Sequence, residues 1–183
     1  SLVGLLVNIA FYGLIFVFSL YFQRVNGLSP LQTGLAFVPM MGMVLPVNLL
    51  AARVSERLGA PATIAAGGML TALGCLMLLG IESGMSYLKT LAQLMIIGGG
   101  LGLLVPPLTA TLLGSVEKSR SGIAAGVLNA TRQTGSVLGV ALFGSLVGQP
   151  DTFMRGAHFS LFISGALLVI ASVVISRGAA RRD

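Results

Sequence analysis

The chain has 183 residues, 55% of them hydrophobic and only 9% charged, with a mean hydropathy of +0.97. A soluble domain carries roughly 25% charged residues because its surface faces water, so this composition excludes a water-soluble globule. The formal net charge of +6 is not a nucleic-acid signature: the cations sit in short segments between apolar runs, with no basic patch alternating with aromatics. A lone cysteine, Cys75, lies in an apolar run and supports neither a disulfide framework nor a metal cluster. No cofactor and no metal site are expected.

A bilayer core of about 30 Å takes roughly 20 apolar residues in a helix. Six stretches meet that length, at 2–22, 33–52, 62–81, 91–113, 122–147 and 159–175. The predicted fold class is an all-α membrane protein with six transmembrane helices. Between them, 23–31, 53–61, 82–90, 115–121 and 148–157 read as short polar connections with no room for a soluble insertion. Position 1 is Ser and the apolar run starts at once, which reads as a fragment of a longer chain rather than a signal peptide.

Lys and Arg set an orientation. Arg53, Arg57, Lys118, Arg120, Arg177, Arg181 and Arg182 fall in alternate connections and the tail, whereas the opposite set holds only Arg24, Lys89 and Arg155. The positive-inside bias places the first set, and both chain ends, in the cytoplasm.

In the first span, Asn8 and Tyr12 are four residues apart and share a helix face. They either line a cavity or bond a neighbouring helix. The second span carries Pro39, Gly42 and Pro46, and the fourth carries Gly98, Gly99, Gly100, Gly102, Pro106 and Pro107. A dinucleotide-binding loop does not fit that run, because Gly102 is followed by Leu103, Leu104 and Val105 and no strand precedes it. Kinkable membrane helices fit better, since Pro removes a helical hydrogen bond and Gly supplies no side chain. Gly/Pro-interrupted spans in both halves of a membrane unit point to a transporter built from inverted repeats. Spans two and four do not correspond in a three-plus-three repeat, so that signal is weak.

The fifth span is the most informative. Asn129, Arg132, Gln133 and Ser136 follow i, i+3, i+4, i+7 spacing and share one face. Arg132 falls about 15 Å inside the span at about 1.5 Å per residue. A charge there costs at least about 2.5–3.5 kcal/mol, so it is expected to face a wet cavity or a partner, with a snorkelling or structural Arg as the alternative. All five acids, Glu56, Glu82, Glu117, Asp151 and Asp183, fall in connections or the tail. Any carboxylate that carries protons must therefore lie outside these residues. Gly122 with Gly126, and Gly135 with Gly139, are small-residue pairs suited to close packing or to sliding. His158 opens the sixth span and reads as a solvated edge residue.

Three segments carry a family likeness. Tyr21-Phe22-Gln23 with Gly27-Leu28-Ser29-Pro30-Leu31-Gln32-Thr33-Gly34 looks like an outer loop and the start of the next helix. Arg53-Val54-Ser55-Glu56-Arg57-Leu58-Gly59 looks like a degenerate cytoplasmic loop motif, with Glu56 where Asp is usual and Ala60-Pro61 in place of basic residues. Gly122 through Asn129-Ala130-Thr131-Arg132-Gln133-Thr134-Gly135 to Gly139 looks like a penultimate exporter helix. Over essentially its whole length the chain resembles the C-terminal six-helix half of a major facilitator superfamily transporter, most like the fourteen-span drug:proton antiporters. The resemblance implies alternating access by rocking against a missing N-terminal half, with spans one and four walling the cavity and span five near the interface. It further implies that the proton-carrying acids belong mainly to that other half.

The expected function is therefore part of a secondary transporter, a proton-coupled exporter of drugs or other amphipathic small molecules across the plasma membrane. Asn8, Tyr12, Asn129, Arg132 and Gln133 are its cavity candidates; Glu56, Arg57 and Gly59 form the loop motif. Gly98, Gly100, Pro106, Gly122, Gly126, Gly135 and Gly139 are its packing and hinge candidates. The expected partners are the missing half, the lipid bilayer, the substrate and protons, and no nucleic acid. Two alternatives stay open: transport of an anionic metabolite through Arg132, or a self-sufficient six-span protein that dimerises. No enzyme motif is present.

Overall fold

The protein is described by a computed structural model covering residues 2–81 and 87–179. Six α-helices make up the fold: α1 (Leu2–Leu20), α2 (Pro30–Leu58), α3 (Ala60–Met77), α4 (Tyr87–Gly114), α5 (Ser121–Leu146) and α6 (Phe153–Ala179). A π-turn (Tyr21–Val25) extends α1, and a 3₁₀ turn (Leu78–Gly80) extends α3. Among the described residues, five helices are long and apolar enough to cross a membrane. The exception is α5, which is long enough at 26 residues but is made too polar by the run from Asn129 to Ser136.

The helices run further than hydropathy predicts. Residues 53–61 are not a loop: α2 continues to Leu58, α3 begins at Ala60, and Gly59 alone joins them. Its φ of 84° and ψ of 152° suit glycine only. The Gly59 carbonyl accepts from both the backbone N–H and the hydroxyl of Thr63, at 3.2 and 2.8 Å, capping α3. At the other end, α2 starts with a reciprocal capping box between Ser29 and Gln32 and with Pro30 in its first turn. The predicted connection 148–157 is mostly helix as well, because α6 starts at Phe153. His158 thus lies inside α6, half-buried, and its Nε2 bonds the Ile81 carbonyl at 2.9 Å.

Packing follows the glycines. Gly135 and Gly139 of α5 lie on α1: a Cβ at Gly139 would strike the Ile9 carbonyl, and one at Gly135 would lie 2.7 Å from Asn8 Cβ. In return, Gly13 of α1 receives the ring of Phe143. On α4, Gly98 meets the Met40 carbonyl of α2, while Gly100 lies against Thr71 of α3. Helices α1 and α5 thus form one close pair and α4 and α2 another, with α3 and α6 packed together behind them. Superposing the order α1–α2–α3 on α4–α5–α6 turns the first pair into the second. The three-plus-three relation that is faint in the sequence is plain in the packing.

Gly122 and Gly126 lie on an open face of α5 among the described residues. Nothing lies within 4 Å of a Cβ at either position, so within this chain they pack against no neighbour. Several buried hydroxyls are satisfied within their own helix: Thr71, Ser160 and Ser172 each donate to the carbonyl four residues back, at 2.8 Å, whereas those of Thr33 and Ser164 have no partner among the described residues.

Two outcomes follow for thermal unfolding of the purified full-length protein. Gly139→Val drives a side chain into the α1 backbone and should lower stability by about 1–3 kcal/mol or more, whereas Gly126→Ala should be neutral or gain up to about 1 kcal/mol. Equal losses from both would contradict the packing. Gly59→Ala should cost about 1–3 kcal/mol, because alanine does not tolerate the glycine-only backbone between α2 and α3; an unchanged melting temperature would mean that this junction adopts another conformation.

Candidate binding cavity

A cavity of about 220 Å³ opens among α1, α2, α4 and α5. Gly4, Val7, Asn8, Phe11 and Tyr12 of α1 line it, with Met41, Val44 and Asn48 of α2. Leu101, Val105, Leu108 and Thr109 come from α4, and Leu128 and Arg132 from α5. The wall is apolar with a few polar groups gathered near Arg132, the usual make-up of a small-molecule site.

Arg132 stands about 17 Å along α5 from Ser121, at about 1.5 Å per residue. Helical side chains tilt toward the helix N-terminus, so its guanidinium reaches back toward the α4–α5 connection. There Nη2 donates to Thr109 Oγ1 at 2.7 Å. The Thr109 hydroxyl in turn donates to the Val105 carbonyl at 2.9 Å, which commits its proton and leaves a lone pair for the guanidinium. No acid reaches this site among the described residues: Glu56, Glu117 and Asp151 are exposed and none lines the cavity. Glu82 and Asp183 lie outside the described residues.

Asn8 uses its Nδ2 locally, donating to the Gly4 carbonyl at 2.6 Å, and so turns its remaining amide valences to the cavity wall. Tyr12 sits one turn further along, partly exposed at 39%. Asn48 has a buried Oδ1 with no hydrogen-bond partner. Asn8, Tyr12 and Arg132 are thus brought together as cavity residues. Asn129 and Gln133 are not: both are exposed on a flank of α5 and line no part of this cavity. The face shared by Asn129, Arg132 and Gln133 is too broad for all three to point the same way, because successive residues turn by about 100° and only Arg132 falls beside the Gly135–Gly139 contact stripe.

Toward the far end of α1 the cavity narrows. Phe11 and Leu101 also border a small apolar gap of about 10 Å³, lined further on by Leu14, Phe18 and Phe37. Beyond it, rings from three helices close together: Phe22 meets Phe37 and Tyr87 with centroids 5.7 and 6.3 Å apart. The Tyr87 hydroxyl donates to the Ala36 carbonyl at 3.0 Å, tying α4 to α2 there. This plug lies roughly 20 Å along α1 from Asn8. These rings close that end of the bundle.

The loop-motif residues behave differently. Glu56 and Arg57 are exposed near the end of α2, and Gly59 is the single-residue junction between α2 and α3. Pro106 and Pro107 sit within a continuous α4, just before Thr109. Thr109 and Asn48 escaped the sequence reading. Asn48 had a signal, as a lone amide in an apolar span two residues after Pro46. Thr109 had none, because membrane threonines usually satisfy themselves by bonding back to their own helix.

Residues 1–140 match the family model of the Major Facilitator Superfamily. The methylenomycin A resistance protein of Streptomyces coelicolor is 30% identical over 183 residues, which take in 100% of this chain and 38% of that protein. The multidrug resistance protein Stp of Mycobacterium tuberculosis is 35% identical over 141 residues, 77% of this chain and 26% of Stp. The drug efflux pump JefA of the same organism is 32% identical over 148 residues, 80% of this chain and 28% of the pump. The chain thus spans roughly a quarter to two fifths of the length of these relatives. With its long apolar helices packed as described, it is a multi-pass membrane protein, and it belongs to the Major Facilitator Superfamily.

Proposed function

We infer that this chain is the C-terminal six-helix half of a drug exporter, moving amphipathic small molecules outward across the plasma membrane. The observation that carries this reading is the apolar cavity with its guanidinium, walled by α1, α2, α4 and α5 and stopped at one end by aromatic rings. The names of these three relatives, two resistance proteins and an efflux pump, favour export. With both chain ends in the cytoplasm, as the Lys and Arg distribution favours, the aromatic plug is on the outer side and the cavity faces inward. Alternating access then consists of rocking this half against an N-terminal half. Protons drive the cycle through carboxylates of that other half, since no lining residue of this cavity is acidic.

The reading is tested in the full-length transporter, expressed in a bacterium stripped of its own pumps. Cells should extrude an amphipathic fluorescent dye, and an uncoupler of the proton gradient should abolish extrusion. The double substitution Asn8→Ala, Tyr12→Ala should lower the extrusion rate by roughly tenfold, the scale of one or two lost polar contacts, with the protein still present in the membrane. Retention equal to that of cells lacking the transporter would refute export; extrusion that survives the uncoupler would refute proton coupling.

A further inference from the structure

We propose that the cavity selects acidic amphipaths, molecules with an apolar body and a single carboxylate-type oxyanion held at Arg132. The proposal rests on the export reading above and names the charge class that this half of the site favours. Arg132 is the one charged residue among the cavity's lining residues. Its guanidinium is permanently cationic and carries five N–H donors in a planar fork that matches a carboxylate. Only the bond to Thr109 engages that fork within the described residues, and Thr109 is a neutral hydroxyl that leaves the charge uncompensated. A cation in an apolar wall is costly unless something of opposite sign meets it. An oxyanion supplied by the cargo meets that need in the loaded state, and water meets it in the empty one.

The rest of the wall agrees with an apolar body. Val7, Phe11, Met41, Val44, Leu101 and Leu108 surround the polar cluster. The polar groups beside Arg132 are all neutral: Asn8, Tyr12, Asn48 and Thr109. A cationic head in this half would meet Arg132 as a like charge with no acid to offset it, so this half disfavours cations. A neutral molecule of the same shape would fill the apolar wall but forgo the charge-assisted pair, which is roughly twice as strong as a neutral hydrogen bond.

The test uses three probes that share one ring system: 1-naphthoate, 1-naphthamide and 1-naphthylmethylammonium. Their affinities are measured by calorimetry at neutral pH on the purified full-length transporter, and their extrusion is followed in cells. Wild-type protein should bind the carboxylate at least about tenfold more tightly than the amide, with the ammonium weakest. Arg132→Gln should erase that preference while leaving amide affinity within about threefold, and Arg132→Lys should restore part of it. Should Arg132→Gln fail to fold, the wild-type ranking and the Arg132→Lys protein still decide the matter. Equal wild-type affinity for carboxylate and amide would overturn the proposal, as would a preference that survives Arg132→Gln. A shift in the pH dependence of transport with the ranking unchanged would assign Arg132 to a carboxylate of the other half and equally overturn it. Extrusion of the amide or ammonium but not the carboxylate sinks this inference and leaves export standing; no binding of any probe also sinks it, and export is then decided by the dye alone.

Discussion

Helix association in a bilayer lacks the driving force that folds soluble proteins, because lipid tails are as apolar as leucine. What remains is close contact of backbone with backbone, and here glycine provides it. Gly139 on Ile9, Gly98 on Met40 and Gly100 on Thr71 bring main chains together at separations that no other residue allows. Each approach adds many small dispersion gains that a larger residue would forfeit. The two pairs α1–α5 and α4–α2 exist because of these contacts, and the pseudo-symmetric relation between them follows. That relation is the three-plus-three inverted repeat known within each half of major facilitator transporters.

The same constraint locates the cavity. Helix α2 is held mainly by α4, and α5 mainly by α1. Neither is packed tightly against the other, so the space between the two pairs stays open on one side. Arg132 stands beside the stripe that docks α5, which places its side chain at the edge of that space. Its reach back along α5 then meets Thr109 one turn beyond the paired prolines of α4. Position on the helix, direction of the side chain and the presence of a hydroxyl with a committed proton together fix the guanidinium. A charge held that way both ties α5 to α4 and borders the cavity.

Much of this was legible in the residues. Five of the six spans and the helical class follow from apolar run length, and α5 was recognised although its polar stripe hides it from hydropathy. Asn8, Tyr12 and Arg132 were legible as cavity residues because polar groups in apolar helices demand a reason. Helix ends were not, since Arg53, Glu56 and Arg57 look like loop residues but continue α2 into water. Nor could spacing separate Gly135 and Gly139, which dock on α1, from Gly122 and Gly126, which face open space. Identical i, i+4 pairs differ only in what lies opposite, and that is a tertiary fact. Likewise Asn129 and Gln133 keep the arc their spacing gives them, but only its Arg132 edge meets the cavity within this chain.

The residues on that open face constrain what can lie beside it. Gly122, Gly126, Asn129 and Gln133 form a strip of small and amide side chains on the open flank of α5. Bare amides facing hydrocarbon are costly, whereas the open flank of α2, with Leu45 and Leu49, suits lipid or another apolar surface. The α5 flank therefore belongs against water or protein. It adjoins the cavity, since Leu128 and Arg132 of the same helix line it. A protein surface seated on that flank would close the open side of the cavity, and it would meet amides there rather than the bare leucines that α2 presents.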